Sequence, residues 1–399
     1  MTNIDNLINW ILAEGTLCDD PAVFADGLAL RLVEAGMPVH YLEISAPSLH
    51  PLHQVAKVIW RYEEGIKTET MAYGAVQDLA FESSPINYLL ADKREAGRWD
   101  LQNGEATKAF PQLQLLSREG LTDFVLRIVR FRREAVLLGM AVSCATRDMG
   151  GFNNDQLGQF DRILPALGLA VHRMVVSRMA SDVLRFYVGS RTSTRILGGE
   201  IRRGHGQSIY AAILLADLKD FTGLNERFPP DNVVRWLNEH FEVIGSSIEH
   251  HGGEIMKLMG DSVLSIFPVG QEHASAFLAC SKALAAAQSA ILGTDALNKT
   301  RANSRDPEIK VDFVLHLGEV FYGNIGAAQR LDFTVIGRVV NEAARLESLC
   351  ERLERQMLIS SSFAEHCNVS LEPLGTFQLK GVAEPQVVYG LAPTDQDPS

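Results

Sequence analysis

Two apolar runs each end on an aspartate, and that pairing limits the folds open to this chain. Ala211-Ala-Ile-Leu-Leu-Ala-Asp217-Leu-Lys-Asp-Phe-Thr222 and Lys257-Leu-Met-Gly-Asp261-Ser-Val-Leu-Ser-Ile-Phe267 set the two carboxylates 44 positions apart. Each aspartate joins an apolar run to a turn, which is where a fold can hold a carboxylate at the rim of a sheet. Two carboxylates side by side repel unless a cation lies between them. Hard divalent ions choose oxygen ligands and often bridge a nucleotide's phosphates. The pair points to metal-dependent chemistry on a nucleoside triphosphate.

The chain has 399 residues, 46% of them apolar and 22% charged, enough for two or three domains with a sizeable core. A net charge of −12 argues against a general nucleic-acid binder, whose phosphate contacts need a basic surface. No apolar stretch approaches the ~20 residues of a membrane span, so no membrane partner is expected. The start, Met1-Thr-Asn-Ile-Asp-Asn, lacks the basic residues and apolar block of a signal peptide. Cys18, Cys144, Cys280, Cys350 and Cys367 are scattered and show no CxxC spacing, which predicts free thiols and a cytoplasmic location.

Periodicity predicts an α/β fold (α+β in arrangement) in several parts. Helical spacing covers Asn6–Ala13 and Pro21–Glu34. Strands are predicted over Met37–Ser45, Val55–Tyr62, Asp123–Phe131 and Val136–Cys144, the last two forming a hairpin around a turn at Arg133-Glu-Ala. Asn153 or Asn154 should cap a helix that Pro165 kinks. Leu169, Val176 and Val183, with His172, Met179 and Phe186, make the 4-3 alternation of a short coiled coil. The expected division is 1–165, a helical linker over 166–207, a second folded unit over 208–391, and a tail over 392–399. In the second unit, Ile209–Asp217 is a strand, and a helix runs from Pro229-Pro230 to about His251. Glu254–Met259 and Ser262–Pro268 form a hairpin, and Ala274–Leu292 is a helix. Gly293–Pro307 is a polar loop, strands flank Gly318, and Val339–Leu353 is a helix. The order β-α-β-β-α-β is a ferredoxin-like core.

Within that core, four segments carry a specific resemblance. They are Ala216-Asp-Leu-Lys-Asp-Phe-Thr222, His251-Gly-Gly-Glu-Ile-Met-Lys-Leu-Met-Gly-Asp-Ser262, His316-Leu-Gly-Glu-Val-Phe-Tyr-Gly-Asn-Ile-Gly326, and Asp332-Phe-Thr-Val-Ile-Gly-Arg-Val-Val-Asn-Glu-Ala-Ala-Arg-Leu-Glu347. In this order and spacing they resemble the catalytic domain of class III nucleotidyl cyclases, which convert ATP or GTP to a 3′,5′-cyclic monophosphate and pyrophosphate. The element order of residues 5–175 resembles a GAF-type sensory domain, with an effector that the sequence does not identify.

The resemblance implies a role for each matching residue. Asp217 and Asp261 would bind two Mg²⁺ or Mn²⁺ ions per site, with the Leu218 carbonyl as an additional ligand. One ion would lower the pKa of the ribose 3′-hydroxyl, and the other would hold the β- and γ-phosphates. Asp220, three residues from Asp217, reads as a turn or capping residue instead. Phe221, Thr222 and Gly223 would form the phosphate-cradling turn into a helix. Lys257 would donate to adenine N1 and Thr334 would accept from the 6-amino group. That Lys/Thr combination resembles the subgroup that includes bicarbonate-responsive cyclases. Asn341 and Arg345, at i and i+4 on one helix face, would orient the ribose and stabilise charge on the α-phosphate. Lys380 would reach the terminal phosphates.

The expected activity is therefore an adenylyl cyclase acting on ATP. A guanylyl cyclase of the same fold and a non-catalytic nucleotide-binding or dimerisation module are the alternatives. The family shares its sites across a dimer interface. One chain here carries both residue sets, which implies a homodimer with two equivalent sites. Ser48-Leu-His-Pro-Leu-His53 and His40 suggest no metal site, because no further ligand has recognisable spacing.

Overall fold

The computed structural model describes residues 3–131, 139–270 and 274–392. The turn expected at Arg133-Glu-Ala and the tail beyond residue 392 lie outside the described residues. Two compact units divide after Tyr187.

The first unit contains helices α1 (Asn3–Leu17), α2 (Pro21–Glu34), α3 (Ala75–Glu82), α4 (Pro85–Ala91), α5 (Gly104–Lys108), α6 (Pro111–Arg118) and α7 (Asn154–Val188). Its strands are β1 (Tyr41–His50), β2 (His53–Arg61), β3 (Gly65–Ala72), β4 (Ala96–Asp100), β5 (Asp123–Arg130) and β6 (Gly139–Thr146). They form one antiparallel sheet in the order β3-β2-β1-β6-β5-β4. Leu7 and Ile11 of α1, Phe24, Leu28 and Leu32 of α2, and Phe160, Ile163, Leu167 and Val171 of α7 bury one face of the sheet. Their i, i+3/i+4 spacing is what turns each helix into a one-sided cover.

On the other face, Leu89, Leu113 and Leu116 pack beside Phe124 and Leu126. A cavity of about 890 Å³ opens there, lined by Tyr41, Lys57, Phe81, Gln112 and Leu115 among others. Its polar spot is Glu43, 4% exposed, which accepts from the Tyr41 hydroxyl and from Gln112 Nε2 at 3.0 Å. Lys57 Nζ lies 3.2 Å from the second Glu43 oxygen. The carboxylate is thereby buried with its charge compensated.

Asn153 caps α7 reciprocally: its side chain accepts from the Gln156 amide at 2.9 Å, and the Gln156 side chain accepts from the Asn153 amide at 2.9 Å. Pro165 lies within this single 35-residue helix. Leu169, Val176, Val183 and Phe186 remain exposed along it.

The second unit begins with α8 (Ser190–Leu197). It continues through β7 (Gly206–Leu218), α9 (Phe221–Arg227), α10 (Pro230–His250), β8 (Glu254–Met259), β9 (Ser262–Pro268), α11 (Ala274–Ser304) and β10 (Val311–Ala327). Next come β11 (Arg330–Ile336), α12 (Arg338–Glu347), α13 (Cys350–Leu353), β12 (Met357–Ser360), α14 (Ser361–Ala364), β13 (Leu371–Phe377) and β14 (Gln386–Leu391). The sheet order is β13-β14-β12-β10-β7-β9-β8, with β11 paired to β10. Strands β7, β8, β9 and β10, connected through α10 and α11, make the expected ferredoxin-like β-α-β-β-α-β core. Helices α10 and α11 cover one face of the sheet. Helix α12 and β11 pack on the other.

Four expectations need correction. Helices Asn154–Val188 and Ala276–Ser304 are long and apolar enough to cross a membrane by length and composition, contrary to the sequence reading. Both contribute residues to the cores of their own units: Phe160, Ile163, Leu167 and Val171 from the first, and Cys280, Ala283 and Ala287 from the second. The polar loop expected at Gly293–Pro307 is mostly helix, because α11 continues to Ser304. Thr294, Asn298 and Arg301 turn inward and bond locally, while Asp295, Lys299 and Thr300 stay exposed. Asn298 holds Ile309 through both backbone groups at 2.7 and 2.8 Å, and Arg301, 3% exposed, donates to the Pro307 carbonyl and to Glu239. The helix expected over Val339–Leu353 is divided into α12 and α13 around Ser348 and Leu349.

The strands expected on either side of Gly318 are one 17-residue strand. Gly318 does not end the strand; it admits α12. A Cβ there would lie 2.6 Å from Val339 Cγ2. Gly318→Ala should therefore destabilise the protein by about 1–3 kcal/mol, the usual cost of overpacking, as measured by denaturant unfolding. An unchanged midpoint would mean that α12 does not rest on this strand.

Candidate active site

Strand β7 lies inside the sheet, between β10 and β9, and its last residues carry Asp217 and Leu218. The β8–β9 hairpin brings Asp261 to the same end, at a tight turn where Gly260 adopts φ +67°. Ser262 Oγ donates to Asp217 Oδ1 and ties that turn to β7. Burial, and then the neighbouring Asp217 charge, push the Asp261 carboxyl up to about 6. His240 of α10, 1% exposed, lies with Nε2 3.2 Å from the Asp261 carbonyl. Burial lowers the His240 imidazole to about 4, so the neutral ring donates to that carbonyl and braces the turn from below.

Two further carboxylates join the pair. Asp312 is directly opposite Asp217 in the β7–β10 register and is 3% exposed, with Lys219 Nζ 3.1 Å from Oδ1. Burial raises Glu347 of α12 to about 7, reinforced by Asp217, Asp312 and Asp261 and opposed by Lys219. Neither carboxylate was singled out from sequence. Asp312 becomes visible only once β10 is registered on β7, and Glu347 only once α12 is laid on the sheet.

This donor set fits a hard divalent cation. Anionic oxygens are concentrated at a partly buried rim, and a positive ion would relieve their mutual repulsion. Among the described residues no group of three or more His, Cys, Asp or Glu side chains is placed to hold a metal. Such a rim suits Mg²⁺, which takes one or two carboxylates together with substrate phosphates.

Phe221, Thr222 and Gly223 are the first three residues of α9, so their backbone N–H groups stand at a helix start. Asp220 precedes them in a left-handed conformation, φ +57°, and pairs with Arg227 at 2.5 Å. A Cβ on Gly223 would lie 2.2 Å from Asp220 Oδ1, so a larger residue there would displace the Asp220 side chain.

Lys257 stands on β8 just after a register shift between Ile255 and Lys257. Thr334, 6% exposed, is on β11 opposite Gly323. Asn341 is exposed and Arg345 half-buried on α12. Helix α12 is fastened through Glu342, 5% exposed, which accepts from Arg338 Nε at 2.5 Å and contacts His316 Nε2 at 3.1 Å. His316 Nδ1 lies 2.7 Å from Ser360 Oγ. Burial lowers the His316 pKa, so this link holds a neutral ring. The Arg345 guanidinium lies beside Gly381, next to exposed Lys380. Among the described residues, no hydrogen bond or ion pair joins Lys257, Thr334, Asn341 or Arg345 to Asp217 or Asp261.

The raised Asp261 pKa has a stability consequence. A carboxyl raised in the folded state favours folding while protonated and loses that contribution as pH rises through about 6. In metal-free protein, Asp261→Asn should therefore raise the melting temperature at roughly pH 8, with the gain fading toward roughly pH 4. Equal melting temperatures across that range would show that Asp261 is neither buried nor held against Asp217.

Residues 206–392 match the adenylate and guanylate cyclase catalytic domain. Adenylate cyclase 1 of Rhizobium meliloti (strain 1021) is 33% identical over 181 residues, 44% of this chain and 26% of that protein. An adenylate cyclase of Anabaena cylindrica is 31% identical over 157 residues, 38% of this chain and 29% of that protein. The chain thus spans under a third of either relative's own length. The crystal structure of the guanylyl cyclase Cya2 is 29% identical with a TM-score of 0.41, covering 48% of this chain and 97% of that one. The aspartate pair stands in a catalytic domain of the adenylate and guanylate cyclase family, spanning residues 206–392.

Proposed function

We propose that the chain is an adenylyl cyclase that converts ATP to 3′,5′-cyclic AMP and pyrophosphate as a homodimer. The observation that carries this reading is the Asp217–Asp261 pair, held at one sheet rim with Asp261 raised to about 6 inside a cyclase catalytic domain. When bound, Mg²⁺ or Mn²⁺ ions would neutralise the triphosphate and activate the ribose 3′-hydroxyl for in-line attack on the α-phosphate.

The chain's own residues do the rest. Asp217, Asp261 and the Leu218 carbonyl provide oxygen ligands. The N–H groups of Phe221, Thr222 and Gly223 receive phosphate oxygens. Lys257 donates to adenine N1 and Thr334 accepts from the 6-amino group, which favours ATP over GTP. Asn341 orients the ribose, and Arg345 stabilises charge developing on the α-phosphate. Lys380, beside Arg345, reaches the terminal phosphates.

In the homodimer, the aspartates of one chain face the Lys257, Thr334, Asn341 and Arg345 set of its partner. The exposed stripe Leu169, Val176, Val183 and Phe186 supports pairing through α7 in a coiled coil. The first unit acts as a GAF-like sensor in this reading. Its cavity of about 890 Å³ is of a size that takes a small-molecule effector. The five free cysteines support a cytoplasmic location.

Purified protein carrying residues 1–399, given ATP or GTP with Mg²⁺ or Mn²⁺, should form cyclic AMP from ATP and less product from GTP. A preference for GTP would make it a guanylyl cyclase. No product from either nucleotide with either metal, from a folded dimer, would leave only a nucleotide-binding or dimerisation role.

A further inference from the structure

We propose that Asp332, a residue outside the set that reads the base, is a positioning residue for Lys257 and thereby sets nucleotide selectivity. Lys257 Nζ donates to Asp332 Oδ2 at 2.6 Å, and the two side chains are 43% and 47% exposed. The contact joins residues 75 positions apart, so the fold makes it. The register shift in β8 immediately before Lys257 re-aims that side chain toward β11. Asp332 and Thr334, two apart on β11, share one side of the strand.

Phe333 faces the opposite way and fixes the strand from behind. Its ring meets Tyr322 edge-on at 4.9 Å, with the Arg195 guanidinium 5.4 Å from its centre. Asp332 therefore stands on a braced strand, whereas Lys257 has a flexible four-carbon stem. A lysine ammonium has three donors and no acceptor. Asp332 takes one of them and restricts the stem, leaving the other two for the base. Without the carboxylate, the ammonium would sample other rotamers and hold N1 of adenine less often. It would also reject the N1–H of guanine less consistently.

This inference rests on the adenylyl cyclase reading. Its test uses the 399-residue chain and the variants Asp332→Ala, Asp332→Asn, Lys257→Ala and Lys257→Ala/Asp332→Ala. Both Asp332 variants should raise KM for ATP roughly two- to fivefold, the range of an exposed ion pair. They should change kcat less and lower the ATP-over-GTP preference. Because Asp332 acts through Lys257, the double variant should be no worse than Lys257→Ala alone. Unchanged KM and selectivity in both Asp332 variants, or losses that add in the double variant, would overturn the proposal. The dissociation constant of α,β-methylene ATP, measured by calorimetry, separates this failure from failure of the catalytic reading. If the wild-type protein makes no cyclic product but the Asp332 variants still bind the analogue more weakly, only the catalytic reading fails. If the wild-type protein does not bind the analogue, both fail.

Discussion

The repulsion between Asp217 and Asp261 is the constraint around which the second unit is arranged. Two carboxylates at a partly dry rim are costly to ionise together: burial first, and then the Asp217 charge, raise the Asp261 pKa to about 6. The fold holds them together by placing one at the end of an interior strand and the other in a tight hairpin turn. Ser262 ties the turn to β7, and buried His240 holds its backbone from below. Asp312 and Glu347 increase the negative charge, and Lys219 offsets part of it. Such a site is unfavourable when empty and gains most when a cation enters.

Buried polar groups position the remaining elements. Glu342, His316 and Ser360 connect α12 to β10 and β12, and thereby orient the face that presents Asn341 and Arg345. Glu254, 5% exposed, accepts from the Thr192 amide and hydroxyl and from Tyr322, fastening α8 to the start of β8 and to β10. Each of these contacts is made between groups that are expensive to bury singly and are buried in pairs. The strands that carry Lys257 and Thr334 are thus braced at their backs.

Much of this was legible in the sequence because local patterns agreed with the fold. The β8–β9 hairpin has the bounds that alternation around Gly260-Asp261 predicts, and the order of elements gave the ferredoxin-like core. What escaped the sequence depends on contacts between distant residues. Asn298 and Arg301 look like loop residues until their side chains are seen capping the start of the next strand. Gly318 looks like a strand break until Val339 is found resting on it. Asp312 lies outside the recognised segments and Glu347 closes one without an assigned role, and the fold alone brings them to Asp217. Asp332 sits inside a recognised motif, yet its partner Lys257 is 75 residues away. In α7 and α11, polar residues interrupt the apolar ones, and packing of the apolar face into each unit's core accounts for their length.

The central claim is that one chain supplies two halves of different sites: the aspartate rim for one, and the base-reading and charge-stabilising set for the other. Co-expressing Asp261→Ala and Arg345→Ala chains, each inactive alone, tests it most directly. The account predicts that the mixture regains part of the cyclase activity, because each heterodimer contains one site with both halves intact. An inactive mixture, with exchange of subunits demonstrated, would contradict it.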